Sequence, residues 1–220
     1  MNKTITVKGV GKTTAKPDYI ILTLSIFSQD MDYDTAMECS AQKIAVLETT
    51  AGQLGFEKGA LKTVSFNVST QYESQKDSSG NFQNVFAGYN CSYRLKLAFD
   101  FDHKRLACVL STMASSGANP ELNISFTVKA PAKVNEKLLS SAAINAKEKA
   151  EILCCASGVA LGQLLSIDYS WEELNLLSRT QYNMSDGAMP LMAAKTRCAP
   201  EITPDDIDLR DTATFVWEIK

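Results

Sequence analysis

Gly9-Val10-Gly11-Lys12-Thr13-Thr14 carries the glycines, the lysine and the hydroxyls of a phosphate-binding loop. Such a loop needs Gly-x-x-x-x-Gly-Lys-Ser/Thr after a strand and at the start of a helix, so that backbone N–H groups surround the phosphates. Here Thr6 stands at the first glycine position, and Pro17 soon interrupts before a second strand-like run. The run reads as a glycine-bearing connection between two strands. His103, the single histidine, adjoins Asp102 at a predicted helix start. A Ser-His-Asp relay would need its nucleophile on an elbow such as Gly-x-Ser-x-Gly, and none occurs. Asp102, His103 and Arg179 are the candidates for a small-molecule or hydrolytic site under a long loop at 173–205.

Zinc sites want Cys and His in spaced pairs, and no Cys-x-x-Cys is present. Cys154 and Cys155 are adjacent on a predicted helix, where neighbouring side chains diverge by about 100°. One is expected in the core and the other partly exposed, which makes the pair a candidate for thiol redox response. Asp30, Asp32 and Asp34 read as charge at a helix start. Asp205, Asp206 and Asp208 read as a loop before an edge strand, and neither cluster matches an EF-hand. No catalytic residue, cofactor or metal is expected. The aromatics Tyr89, Tyr93, Phe99, Trp171, Phe215 and Trp217 fall on long strands. A strand that overruns its own sheet presents aromatic side chains and backbone edge groups to another subunit. Tyr89 and Tyr93, with Met184, Met189 and Met192 of the long loop, are the candidate contact residues.

The elements that must position these groups are legible from periodicity. Ile5 and Val7 alternate with threonines and Lys8. Ile20, Leu22, Leu24 and Ile26 then alternate after Pro17-Asp18. A helix is expected from the Asp30–Asp34 cluster to about Leu54, stopped by Gly55. A strand with Val64, Phe66 and Val68 follows, and then a polar turn at 77–81. The long fourth strand places Val85, Ala87, Tyr89, Cys91, Tyr93, Leu95, Leu97 and Phe99 at alternate positions. Asp102 caps a helix closed by Gly117, and Ile124, Phe126 and Val128 form the next strand. A third helix from Pro131 buries Val134, Leu138, Ala142, Ala146, Ala150 and Leu153, with Lys147 and Glu151 paired outside. Strands at 164–171 and around Ala213 to Ile219 complete the order β-β-α-β-β-α-β-α-β-β.

Val64-Ser65-Phe66-Asn67-Val68 and Ile124-Ser125-Phe126-Thr127-Val128 are near-copies, each after an alternating strand, an Asp and an amphipathic segment ending in Gly. A strand–helix–strand unit is thus used twice. The expectation is one α+β domain over 1–220, with halves of about 1–80 and 81–220, an antiparallel or mixed sheet, and helices on one face.

Hydrophobic content of 45% and charge of 21%, with net charge −3, suit a globular chain with a substantial core. No basic–aromatic cluster favours nucleic acid, and no apolar run approaches a membrane span. The first residues alternate like a strand and show no apolar leader, and the six cysteines lack a disulfide-framework spacing, so a cytoplasmic location is expected.

The ordered set of Ile5-Thr6-Val7-Lys8-Gly9-Val10-Gly11, Ala15-Lys16-Pro17-Asp18, Leu54-Gly55-Phe56, Leu61-Lys62-Thr63, Gly88-Tyr89, the Ala142–Leu153 helix with Gly158 and Leu161-Gly162, and the tail from Pro200 to Ile207 resembles the SIMPL-domain family. The resemblance spans nearly the whole chain. It implies an α+β fold, no established enzymatic activity, self-association into homo-oligomers, and protein partners in stress-related roles.

Overall fold

The computed structural model describes residues 3–76, 81–169, 174–184 and 202–220. In chain order these form β1 (Thr4–Ala15), β2 (Tyr19–Asp30), α1 (Tyr33–Gln53), β3 (Lys62–Lys76), β4 (Phe82–Asp100), α2 (His103–Ala114), β5 (Glu121–Thr127), α3 (Pro131–Ala156), β6 (Leu161–Asp168), β7 (Gln181–Met184) and β8 (Ile207–Ile219). The fold is α+β, as the periodicity predicts. The chain divides into two compact units: 1–18 with 127–179 and 204–220, and 19–126 with 180–203.

The second of these holds a five-stranded sheet in the order β3-β4-β2-β5-β7. Its β-α-β-β-α-β run is the split βαβ arrangement of ferredoxin-like folds. Ile20, Leu22, Leu24 and Ile26 are wholly buried with Leu95, Leu97 and Phe99 of β4. Leu47 of α1, four apolar residues of α2, and Leu122, Ile124 and Phe126 of β5 close the core. Both copies of the repeated unit lie here, as β2-α1-β3 and β4-α2-β5. Their fates differ. Ile124 and Phe126 are fully buried, whereas Val64 is 57% and Phe66 46% exposed. The first copy's strand is the sheet edge, and the second copy's lies between β2 and β7.

The alternation of β4 does not run unbroken. Gln71 pairs with Gly88 and Tyr72 with Phe86, which leaves Ala87 as a bulge. Gly88 has φ +115, and a Cβ there would lie 2.5 Å from the Asp30 carbonyl oxygen. The bulge moves Phe86, instead of Val85 or Ala87, onto the face of Tyr89, and Val85 is exposed.

The other unit is a three-stranded sheet, β1-β8-β6, covered by α3. β1 and β8 pair without a break from Thr4↔Glu218 to Ala15↔Ile207. α3 starts with Pro131 in its first turn and buries Leu138, Ala142, Ala146, Ala150 and Cys154. Leu153, expected inside, is half exposed: the inner stripe advances by fours and reaches Cys154. Gly9 and Gly11 face this stripe. A Cβ on Gly9 would sit 2.2 Å from the Ala142 carbonyl oxygen, and one on Gly11 would sit 2.2 Å from that of Leu138. The Gly-x-Gly run is therefore a strand pressed against a helix backbone.

Of the segment expected as an irregular loop at 173–205, the described residues 174–184 and 202–205 make packing and hydrogen-bond contacts. Leu174 and Leu176 pack with Val128, Leu138, Ile207 and Leu209. Thr127 Oγ1 donates to the Leu176 carbonyl at 2.8 Å, and Ser178 Oγ donates to that of Asp205 at 2.7 Å. Residues 181–184 form β7 against β5, a strand too short to announce itself by alternation. Trp171 and residues 185–201 lie outside the described residues.

Gly9→Ala or Gly11→Ala is expected to destabilise the protein by about 1–3 kcal/mol, because the obstructing atoms are backbone. Gly52→Ala, in α1 with open space around it, is expected to stabilise it by about 0.4–1 kcal/mol. Urea denaturation of the three variants checks both signs.

Candidate interaction surface

The described strands present four sheet edges, and the chain treats them differently. On β1, the outward Val10 N–H donates to Asn145 Oδ1 at 3.0 Å and the Lys12 N–H to Ser141 Oγ at 3.2 Å. Lys149 Nζ donates to the Lys8 carbonyl at 3.2 Å. The spacing makes this possible. Four helical residues rise about 6.0 Å, and two strand residues about 6.6 Å, so side chains at i, i+4 and i+8 of α3 meet alternate residues of β1. β6 exposes Leu164, Leu165 and Ile167, but its register on β8 breaks twice within eight residues. Such irregularity blunts an edge. β7 has four residues.

β3 also shifts register twice, between Thr63 and Ser65 and between Gln71 and Tyr72, but it pairs with β4 in unbroken register from Ser65 to Gln71. It is 15 residues long, borders β4 alone in the sheet order, and is exposed at every position except the half-buried Val68. Residues 63–72 contain no charge, proline or glycine. An uncharged edge of this kind is a template for pairing with another chain.

β4 pairs with β2 only from Asp100 to Tyr89. Beyond that point, residues 71–76 and 82–88 continue as a two-stranded arm. Such a ribbon is marginally stable by itself. Its aromatic side chains share the α1 side of the sheet. Phe66 and Tyr93 lie 4.4 Å apart between ring centroids, Tyr72 and Phe86 5.8 Å, Phe86 and Tyr89 5.3 Å, and Tyr89 and Tyr33 5.5 Å. Lys76 Nζ sits 5.1 Å over the Phe82 ring. Burial pushes the Tyr93 phenol above its ordinary pKa, with Cys91 and Tyr33 adding to the effect. Tyr72 and Phe82 remain 58% and 70% exposed, an unusual outlay of aromatic surface.

The structure thus places Tyr89 and Tyr93 together at the root of this arm, beside Phe66, Phe86 and Tyr72, which the sequence reading did not select. The signal for those three is their pairing with β4, which the chain order does not display. Met184 lies on β7, paired through its backbone to Leu122. Met189 and Met192 lie outside the described residues. Cys154 is buried and Cys155 exposed, so the two thiols face different surroundings. Asp102 caps α2, accepting from the Arg105 N–H at 2.7 Å, and His103 packs edge-on to Phe101. Arg105 lies over the Phe56 and Phe99 rings. Arg179 is exposed in the other unit. Among the described residues no group of three or more His, Cys, Asp or Glu side chains is arranged to hold a metal ion, and no helix is long and apolar enough to cross a membrane.

At the base of the arm, Asp32 is the N-cap of α1. Its carboxylate accepts from the Thr35 N–H and Oγ1, both at 2.9 Å, while Asp30 Oδ1 accepts from the Asp32 N–H. These bonds, the backbone one first, hold the Asp32 carboxyl below its ordinary pKa.

The described residues thus combine a Gly-x-Gly strand under an alanine-rich helix with a long exposed edge hairpin. The chain belongs to the SIMPL family, described as a protein of unknown function (DUF541), whose model matches residues 5–217. It is similar to the 26 kDa periplasmic immunogenic proteins of Brucella melitensis biotype 1 and Brucella abortus strain S19. Each is 26% identical over 163 residues, which cover 74% of this chain and 65% of the relative. These relatives overturn the cytoplasmic expectation, since both are described as periplasmic. That expectation leaned on where the chain begins, and a chain that matches part of a longer relative carries no such information.

Asp32→Ala is expected to lower the melting temperature at neutral pH. A carboxyl whose pKa is depressed on folding contributes fully above its ordinary value and loses that contribution as pH falls through the folded value. The gap between variant and parent therefore closes in acid below about pH 4, read by thermal melts across the acid range.

Proposed function

We propose that this chain is a non-enzymatic periplasmic protein that works by self-assembly and by contact with protein partners. The observation that carries this reading is the open β3 edge: long, uncharged through its middle, and continued into an aromatic arm. The other described edges are capped by α3 or are no longer than eight residues. Edge pairing satisfies backbone groups of two chains at once, and flanking aromatic side chains supply apolar area and shape. The periplasmic placement rests on the two Brucella relatives.

The test is native mass by light scattering over a range of concentrations, for the parent and for Asn67→Lys/Ser69→Lys. Both positions are exposed on β3, and lysine is a recurrent means of keeping an edge strand unpaired. The parent is expected to form a discrete multimer and the double variant to fall to a smaller species, with unfolding changed by less than about 1 kcal/mol. A parent that stays a single chain at every concentration overturns self-assembly. Deleting 178–199 is a poorer test, because it removes β7 and bares the β5 edge.

A further inference from the structure

An open groove of about 1200 Å³ runs beside the capped edge of β1, along the outward flank of α3. Lys12, Arg210, Lys133 and Lys137 line it, with Glu136 and Glu148 as its carboxylates. Two features set its charge apart from an ordinary solvated helix face. Lys12 stands directly opposite Arg210 in the β1–β8 register, and like charges directly opposed across strands repel. Lys133 and Lys137 are four apart on α3, which sets a second like-charge pair on neighbouring turns. Among the described residues none of these four cations makes an ion pair, whereas Lys147 and Glu151 on the same helix do, at 3.9 Å. Both repulsions meet in one concavity. Beside them Ile144 is 59% exposed and Val10 lies half buried, so the groove mixes positive charge with apolar surface. The β1 backbone is already satisfied by α3, so the occupant is held by its side chains and not as an added strand.

The chain itself carries a segment of matching chemistry. Asp30, Met31, Asp32, Tyr33 and Asp34 alternate acid with apolar, and Met31 is 63% and Tyr33 46% exposed. The β2–α1 turn holds this segment in a fixed shape through the Asp30 and Asp32 bonds. We propose that the groove takes the Asp30–Asp34 turn of a second copy, with the carboxylates against Lys12, Arg210, Lys133 and Lys137 and Met31 against Ile144. This deepens the self-assembly reading and rests on it. Groove and turn are different surfaces, so the contact is head-to-tail and extends into rings or filaments instead of stopping at a two-fold dimer.

The experiment compares native mass, in low and high salt, for the parent, the groove variant Lys133→Glu/Lys137→Glu, the turn variant Asp30→Lys/Asp34→Lys, and a chain carrying all four changes. Circular dichroism confirms that each is folded. The expected result is a smaller species for each double variant, recovery of the parent mass in the fourfold chain, and weakening of the parent assembly by salt, which screens exposed charges. In parallel, fluorescently labelled groove variant, whose turn is intact, is titrated onto the turn variant, whose groove is intact, and onto unlabelled groove variant. Salt-sensitive binding to the turn variant, at least tenfold tighter than to the groove variant, supports the groove. The absence of any such difference overturns it. A groove variant that keeps the parent mass while Asn67→Lys/Ser69→Lys loses it overturns the groove contact and leaves self-assembly standing. A parent that is a single chain throughout overturns the second copy as occupant together with the assembly reading.

Discussion

The contact between β1 and α3 at Gly9 and Gly11 is the constraint on which one of the two units is built. Helix and strand approach until any side chain at those positions would meet the carbonyls of Ala142 and Leu138. That closeness lets Ser141, Asn145 and Lys149 reach the outer edge of β1 and satisfy its backbone groups. It also leaves the flank of α3 and the rim of β1 side by side, which forms the basic groove. A glycine pair that resembles phosphate-binding chemistry is in fact the condition for closing one edge of the sheet.

The proposed function rests on how the sheet edges are distributed. Native sheets need their edges covered, shortened or bulged to stay apart from one another. Here β1 is covered by side chains, β6 is eight residues with two register shifts and β7 is brief, while β3 is long, uncharged in its middle and unbroken in register from Ser65 to Gln71. The β3–β4 arm then carries aromatic side chains past the end of β2. Its rings pack edge to face, Tyr72 on Phe86 and Phe86 on Tyr89, which stiffens a ribbon that would otherwise be marginal. The proposed function takes this open stretch of β3 as the place where a partner pairs.

Much of the fold was legible in the sequence because its signals are local. Ile20 to Ile26 and Leu95 to Phe99 alternate without ambiguity, Asp32 and Asp102 cap the helices they precede, and Pro131 opens α3. The surface was less legible because its signals are pairings. Val64–Val68 and Ile124–Val128 look alike, yet one strand forms the sheet edge and the other lies inside it, and periodicity does not encode a neighbour. The Ala87 bulge reverses which residues of β4 accompany Tyr89, and only the partner strand reveals it. Lys12 and Arg210 are far apart in the chain, so their opposition is invisible before the register is known. Tyr89 and Tyr93, selected from the alternation of β4, lie on that strand near the root of the arm. The other candidate contact residues, Met184, Met189 and Met192, came from the methionine-bearing loop, and of these Met189 and Met192 lie outside the described residues.

Amide hydrogen exchange at two protein concentrations tests the central claim, that β3 is an edge awaiting a partner while β1 is an edge already closed. The account predicts that β3 amides between 63 and 72 become more protected as concentration rises, whereas those of β1 are slow to exchange at both. Equal exchange of β3 at the two concentrations, or fast exchange at Val10 and Lys12, would contradict it.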